Sequence, residues 1–461
     1  MKKRIVLLGL IMSLALTSMP SYAAKDIVEK NIYWPKGPKV TSSSAIIMEA
    51  NTGAILYEKK IHDKHYPASI TKILTSLIAV ENGNMEDTVT FSHDAVFKTE
   101  GTTIARDEGE KMSLEDTIYA VMLGSANECA YATAEHIGGS IKGFVKMMND
   151  RAKEIGCKDS TFCNPHGLPD KKHKTSAYDM AIISREALKN ENFRKITGTK
   201  TYTIPPTNKH KEETYLVNHH AMLTYYHTGR YIYDGCIGGK TGYTQAAGNT
   251  LVTYAEKNGM TLICVVMKTT PDGQYEDTTK LLDYCFDNYQ TFKVSEHDRT
   301  YSMDSISKAL NFQSVKPYLM VDPDAYVVLP KTAEFSDTTS EVKMDKKSDE
   351  IAGSIDYYYG DKKVGEVNIE VTKEQIEAYK FNNADLKNQK EDKNIIEINI
   401  KQVILIALLI ILLVASIFGV IYLRRNIYVL MYDLKRKKRE RRTGISFKGK
   451  KRRRRYKRRK D

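Results

Sequence analysis

Three short stretches hold the residues whose types and spacing could do chemistry. In "YPASITK" the hydroxyl of Ser69 precedes the amine of Lys72 by three residues, a spacing that stacks both side chains on one face of a helix. A serine is unreactive near neutral pH until a base takes its proton, and a lysine is such a base only when burial or a second cation depresses its pKa. In "MLGSANECA", Ser125 and Asn127 fall at a break in helical periodicity, where side chains can leave the helix and face a cleft. In "IGGKTGYT", Lys240 and Thr241 stand at the entry to a strand with Gly242 and Tyr243 after them, and a glycine there allows close approach to the backbone. Singly each stretch is weak. In this order, with Ser125 56 residues after Ser69 and Lys240 115 after Ser125, they describe a serine nucleophile with an amine base.

The elements that must position these groups can be read from periodicity. Residues 44–59 are two apolar runs around Asn51-Thr52-Gly53, a hairpin signal. The helix of Ser69 follows, with Ile73, Leu74, Leu77 and Ile78 on its buried face and a left-handed stop expected at Asn82-Gly83. A capping box at Ser113-Leu114-Glu115-Asp116 opens a helix that runs through Leu123 until Gly124 interrupts it. Helical periodicity returns in "SAYDMAIISREALKN"; strand-like runs with Gly-rich turns follow from Cys236, and "DTTKLLDYCFDNY" closes with a helix. Sheet elements at both ends of a helical middle predict an α+β domain whose first and last segments pair.

With these motifs the sequence resembles the penicillin-recognising serine hydrolases, which carry S-x-x-K, S-x-N and K-T-G motifs. It is most similar to the low-molecular-mass penicillin-binding proteins that are D-alanyl-D-alanine carboxypeptidases, through "PASITKILTSLIAVE", "MLGSANECA", "NPHGLPD", "TSAYDMAII" and "YDGCIGGKTGYT". The resemblance implies a β-lactamase/transpeptidase-like catalytic domain, an antiparallel sheet with a helical lobe, and a cleft between them. It implies Ser69 as nucleophile, Lys72 as its base and Ser125 as proton relay, with Asn127 holding the peptide amide. Lys240 and Thr241 would meet the substrate carboxylate, and the N–H groups of Ser69 and Tyr243 would form an oxyanion hole. His166 in "NPHGL" is a candidate supporting residue. The family usually has an arginine gripping the terminal carboxylate after the strand that follows K-T-G; Gln274 stands there. Peptidoglycan stem peptides are the implied substrates and β-lactams the implied covalent inhibitors. A β-lactamase and a non-catalytic muropeptide sensor are the rival readings; the absence of a Glu-containing deacylation motif opposes the first, and the paired nucleophile and base oppose the second.

The chain ends set expectations about location. Residues 1–23 have a basic start, an apolar run and Ser21-Tyr22-Ala23, the pattern of a signal peptide. The catalytic domain is expected over 24–290 and a small β domain over 291–385, from pieces such as "AYVVLP" and "VGEVNIEV". A polar linker at 386–402 leads to 403–423, 21 uncharged residues, or about 31 Å of helix against a hydrocarbon core of about 30 Å. The tail, 424–461, carries 20 Lys or Arg against 3 Asp or Glu, a net of +17, so a chain total of +13 leaves −4 for the remainder. The positive-inside rule then predicts a single-pass membrane protein with its catalytic domain outside and its tail cytoplasmic, and favours anionic lipid over nucleic acid as the tail's contact. Six cysteines permit disulfides, although Cys129, Cys264 and Cys285 lie in apolar runs that suit buried thiols. No cysteine–histidine spacing suggests zinc, and the histidines at 62 and 65 and at 219 and 220 are read as turn residues; neither metal nor organic cofactor is expected.

Overall fold

The run "SAIIME" is apolar almost throughout, as a strand covered on both faces must be, and Ser44–Glu49 (β1) is buried at every position. The computed structural model describes residues 32–298, 319–343, 351–371, 431–432, 434–439 and 441–442. After β1 the chain turns at Gly53 (φ +71°) into Ile55–Lys59 (β2). A short 3-10 turn, Ala68–Thr71, leads into Lys72–Asn82 (α1). The lobe that follows holds Thr88–Thr90 (β3), His93–Phe97 (α2), Lys111–Ser113 (β4), Leu114–Met122 (α3), Asn127–Gly138 (α4) and Ile141–Ile155 (α5). Ala177–Ala187 (α6), Glu191–Gly198 (α7), Thr201–Ile204 (β5) and Thr214–Val217 (β6) complete it. Three long strands return, Cys236–Thr244 (β7), Gly248–Lys257 (β8) and Met260–Thr269 (β9), before Gly273–Asn288 (α8).

The main sheet has the order β2-β1-β9-β8-β7 and is antiparallel throughout, so the first hairpin pairs with the last strands. Ile47 sits opposite Cys264, and Lys240 opposite Val252. One face of the sheet, with Ile46, Val252 and Val265, packs on α1 and the lobe through Ile73, Leu77, Val121 and Phe144. The other face, with Ile47, Leu251 and Val266, is covered by Leu281, Leu282 and Cys285 of α8. A sheet covered on both faces is the three-layer solution that buries apolar surface on each side of every central strand.

Beyond α8 the chain forms Tyr289–Lys293 (β10), a turn of helix at Val294–His297 (α9), and then Leu319–Val321 (β11), Tyr326–Pro330 (β12), Thr339–Lys343 (β13), Ile351–Tyr359 (β14) and Lys362–Val371 (β15). β10 pairs with β12, and the remaining strands make a four-stranded sheet in the order β11-β15-β14-β13. The chain divides into two units, Met1–Phe381 and Asn382–Asp461; in the second the described residues are helical and exposed. The expected signal peptide (1–23), linker (386–402) and membrane span (403–423) lie outside the described residues. Among the described residues no helix is long and apolar enough to cross a membrane.

Two sequence expectations need correction. The α-helix after Ser69 begins only at Lys72, because Ala68 is left-handed (φ +54°) and the intervening turn is 3-10. Its end is not a left-handed stop, since Gly83 is extended (φ −112°, ψ 157°). A Cβ there would lie 2.4 Å from a Leu114 methyl and 2.7 Å from an Ile137 methyl, so a larger residue would have to push these side chains aside. All six cysteines are free thiols, with Cys129, Cys264 and Cys285 buried.

Candidate active site

The site is assembled where the Ser69 turn abuts β7. Gly242 is the reason the two can meet: a Cβ on it would lie 2.8 Å from Ser69 N and 2.5 Å from Thr250 Oγ1. That hydroxyl bonds Pro67 O at 2.8 Å and Gly242 O at 3.2 Å, tying β8 to both sides of the junction. Behind the turn, Gly167 (φ +90°) brings the 161–168 loop so close to Ala68 O that any side chain there would collide with the carbonyl. Thr75 Oγ1 donates to Pro165 O at 2.6 Å and fixes the same loop to α1. The turn that carries the serine is thus held on two sides by backbone packing that only glycine permits.

Lys72 is fully buried. Its Nζ lies 3.0 Å from Ser69 Oγ, 2.6 Å from Asn127 Oδ1 and 2.8 Å from His166 O. Burial depresses its pKa well below the usual lysine value, and Lys240 depresses it further. A neutral amine fits this triangle: two N–H bonds go to the amide and carbonyl oxygens, and the lone pair faces the serine hydroxyl. Asn127 is itself fixed, its Nδ2 donating to Glu100 O and its main-chain N–H to Thr102 O.

Lys240 is also buried, its Nζ donates to Thr241 O at 3.1 Å, and burial brings its pKa down to about 7. Ser125 is 6 % exposed in a left-handed conformation (φ +57°), which is uncommon outside glycine and is a kind of backbone strain that clusters at functional sites. It stands in the gap between α3 and α4. Tyr243 is exposed and Thr241 half-buried on β7.

The two weaker candidates are placed differently. His166 enters through its main-chain carbonyl; its ring accepts from Leu168 N at 3.2 Å, and burial followed by the Lys72 charge holds its pKa down at about 3. Gln274 lies in the first turn of α8, donates Nε2 to Pro271 O at 3.0 Å and shares no hydrogen bond with Lys240 or Thr241. Sequence reasoning passed over Gly167 and Thr250. Only Gly167 had a signal, as the glycine of the turn-like "NPHGL"; Thr250 acts through folded contacts.

The sequence profile of the D-alanyl-D-alanine carboxypeptidases matches residues 32–270. The chain belongs to the D-alanyl-D-alanine carboxypeptidase family. It is 34% identical over 350 residues to D-alanyl-D-alanine carboxypeptidase DacF of Bacillus subtilis, covering 74% of this chain and 85% of the relative. DacA of Haemophilus influenzae is 29% identical over 399 residues, with 82% and 95% covered. Among solved structures, penicillin binding protein 6B of Escherichia coli superposes with a TM-score of 0.55 at 25% identity over 73% of this chain and 97% of its own. The Streptomyces K15 DD-transpeptidase gives 0.51 at 26% over 55% and 100%. The mixed sheet-and-helix fold is therefore that of penicillin-binding proteins.

Proposed function

We propose that this protein is a membrane-anchored serine D-Ala-D-Ala carboxypeptidase. It removes the terminal D-alanine from peptidoglycan pentapeptide stems through a Ser69 acyl-enzyme, and β-lactams acylate the same serine. The observation that carries the reading is the Lys72 amine, depressed in pKa by burial and aimed at Ser69 Oγ from 3.0 Å, in a chain of this family. Lys72 takes the hydroxyl proton as Oγ attacks the penultimate D-alanine carbonyl, a general-base contribution of about 100- to 10,000-fold. The N–H groups of Ser69 and Tyr243 receive the developing oxyanion, where preorganised donors are worth most. Ser125 passes the proton to the departing D-alanine, and Lys240 with Thr241 holds its carboxylate by charge-assisted bonds. Water then hydrolyses the ester. No step calls for a metal or cofactor.

The signal-peptide pattern, the 21-residue apolar run and the +17 tail support a single-pass topology with the catalytic domain outside and the basic tail in the cytoplasm. Protease added to intact protoplasts digests the catalytic domain and spares a tag placed after Asp461; loss of the tag refutes the orientation. The activity is tested by incubating the purified protein with an N-acyl-D-Ala-D-Ala peptide and measuring free D-alanine, and with benzylpenicillin followed by peptide mass spectrometry. The expected results are D-alanine release and a long-lived adduct on Ser69 that is lost in Ser69→Ala. Rapid turnover of penicillin without D-alanine release identifies a β-lactamase instead, and no adduct at all identifies a binding protein.

A further inference from the structure

His173 lies where the 161–168 loop meets the Ser69 turn and is 1 % exposed. Its Nδ1 accepts from Cys163 N at 3.1 Å, and its Nε2 lies 3.0 Å from Thr71 Oγ1. A main-chain N–H can only donate, so the neutral ring carries its proton on Nε2 and gives it to the threonine hydroxyl. Burial keeps the ring neutral, with a pKa of about 4. The partners at its two ends belong to the site. Thr71 is fully buried and immediately precedes Lys72, while Cys163 leads into the stretch whose Pro165 O receives Thr75 Oγ1 at 2.6 Å and whose His166 O receives Lys72 Nζ at 2.8 Å. His173 is itself anchored, because Thr175 pairs with His65, Lys174 pairs with Thr161, and the Phe162 ring meets the imidazole edge-on with centroids 5.6 Å apart. Buried hydrogen bonds are directional and costly to leave unmade, so the ring fixes the distance between its two partners.

We propose that His173 is a positioning residue for acylation: its imidazole bridges the Ser69 turn to the 161–168 loop and thereby fixes the His166 carbonyl that aims the Lys72 amine at Ser69. This inference rests on the Ser69–Lys72 reading of the site. His173 shares no hydrogen bond with Ser69 or Lys72 and acts through Thr71 and Cys163. Lys72 Nζ is held by two oxygens besides the serine hydroxyl, Asn127 Oδ1 and His166 O. If the loop slackens, the second retreats and the amine can rotate off the hydroxyl. Displacement of a reacting group by about 1 Å can cost about 100-fold in rate. The Thr75 and Gly167 contacts to the loop remain when only the bridge is cut, so the expected loss is smaller, about tenfold.

The bridge can be cut from either end. Thr71→Val removes the hydroxyl with little change of shape, Thr71→Ser keeps it, and His173→Phe keeps a buried ring but removes both nitrogens. Stopped-flow acylation by a fluorescent penicillin separates the binding constant from the rate constant at saturation, with melting temperature recorded alongside. Thr71→Val and His173→Phe are each expected to lower the saturating rate constant about tenfold while the binding constant stays within about twofold of the parent. Thr71→Ser should stay within about threefold of the parent in both constants. The double variant should be no slower than the slower single one, because both changes break the same link. A saturating rate constant within about threefold of the parent in Thr71→Val, or a loss carried by the binding constant, overturns the proposal. So does an additive loss of about 100-fold in the double variant, or a Thr71→Ser as slow as Thr71→Val; His173 then serves stability alone. If His173→Phe fails to fold, the Thr71→Val and Thr71→Ser pair decides by itself. Failure of the underlying site reading looks different, since the parental protein itself would then form no Ser69 adduct.

Discussion

Gly242→Ala isolates the junction between β7 and the nucleophile turn. Gly242 does not have a positive φ, so alanine can adopt its backbone conformation and the perturbation is steric. The added Cβ would lie 2.8 Å from Ser69 N, 3.1 Å from Ile70 N and 2.5 Å from Thr250 Oγ1, whereas ordinary contacts begin near 3.4 Å. None of these neighbours can swing aside. Two are backbone atoms of a turn whose Ala68 and Ile70 are buried, and the third is a hydroxyl bonded to Pro67 O. The shortfalls at those contacts run from about 0.3 to 0.9 Å, so the strand and the turn must separate by up to about 0.9 Å, which moves the Ser69 and Tyr243 N–H groups apart. Overpacking of this kind costs about 1 to 3 kcal/mol, a few degrees in melting temperature for a chain of this size. Misplacement of a reacting group by about 1 Å can cost about 100-fold in rate. Stopped-flow acylation by a fluorescent penicillin, with a circular-dichroism melt as control, should thus show a folded protein acylated about 100-fold more slowly. A rate within about threefold of the parent would mean that the junction is not rigid and that Gly242 has another purpose.

Two further outcomes follow from buried polar groups. Tyr326→Phe removes the hydroxyl that donates to Glu49 Oε1 at 2.7 Å, a carboxylate with no exposure, so urea denaturation should report a loss of about 1.5 to 3 kcal/mol while Ser69 acylation in the folded protein is retained. His173 and His220 are held neutral at about 4, chiefly by burial. Because each folded pKa lies below the unfolded value of about 6.5, their stabilisation is complete above that pH and is lost as pH falls toward 4; unfolding free energy should drop by roughly 2 to 3 kcal/mol per histidine between pH 7.5 and 4.5, and a flat profile in urea titrations over that range would refute it.

The sequence by itself determined the chemistry and the family. Ser69 and Lys72 are three residues apart, so the spacing alone shows that amine and hydroxyl can meet, as they do at 3.0 Å. The buried face of α1 and the hairpin of β1 and β2 were likewise legible, because hydrophobic period and turn glycines act over a few residues. What the tertiary structure decided is everything that depends on contacts far apart in sequence. Lys72 is fully buried only because the 161–168 loop and α4 close over it, and its pKa is lowered by Lys240, 168 positions away. Gln274 likewise shows a contact that its position in the motif order does not reveal, its amide donating to Pro271 O in the first turn of α8. Spacing along a chain fixes which side chains share a helix face; which of them lose water, and so change their chemistry, is set by what packs on top.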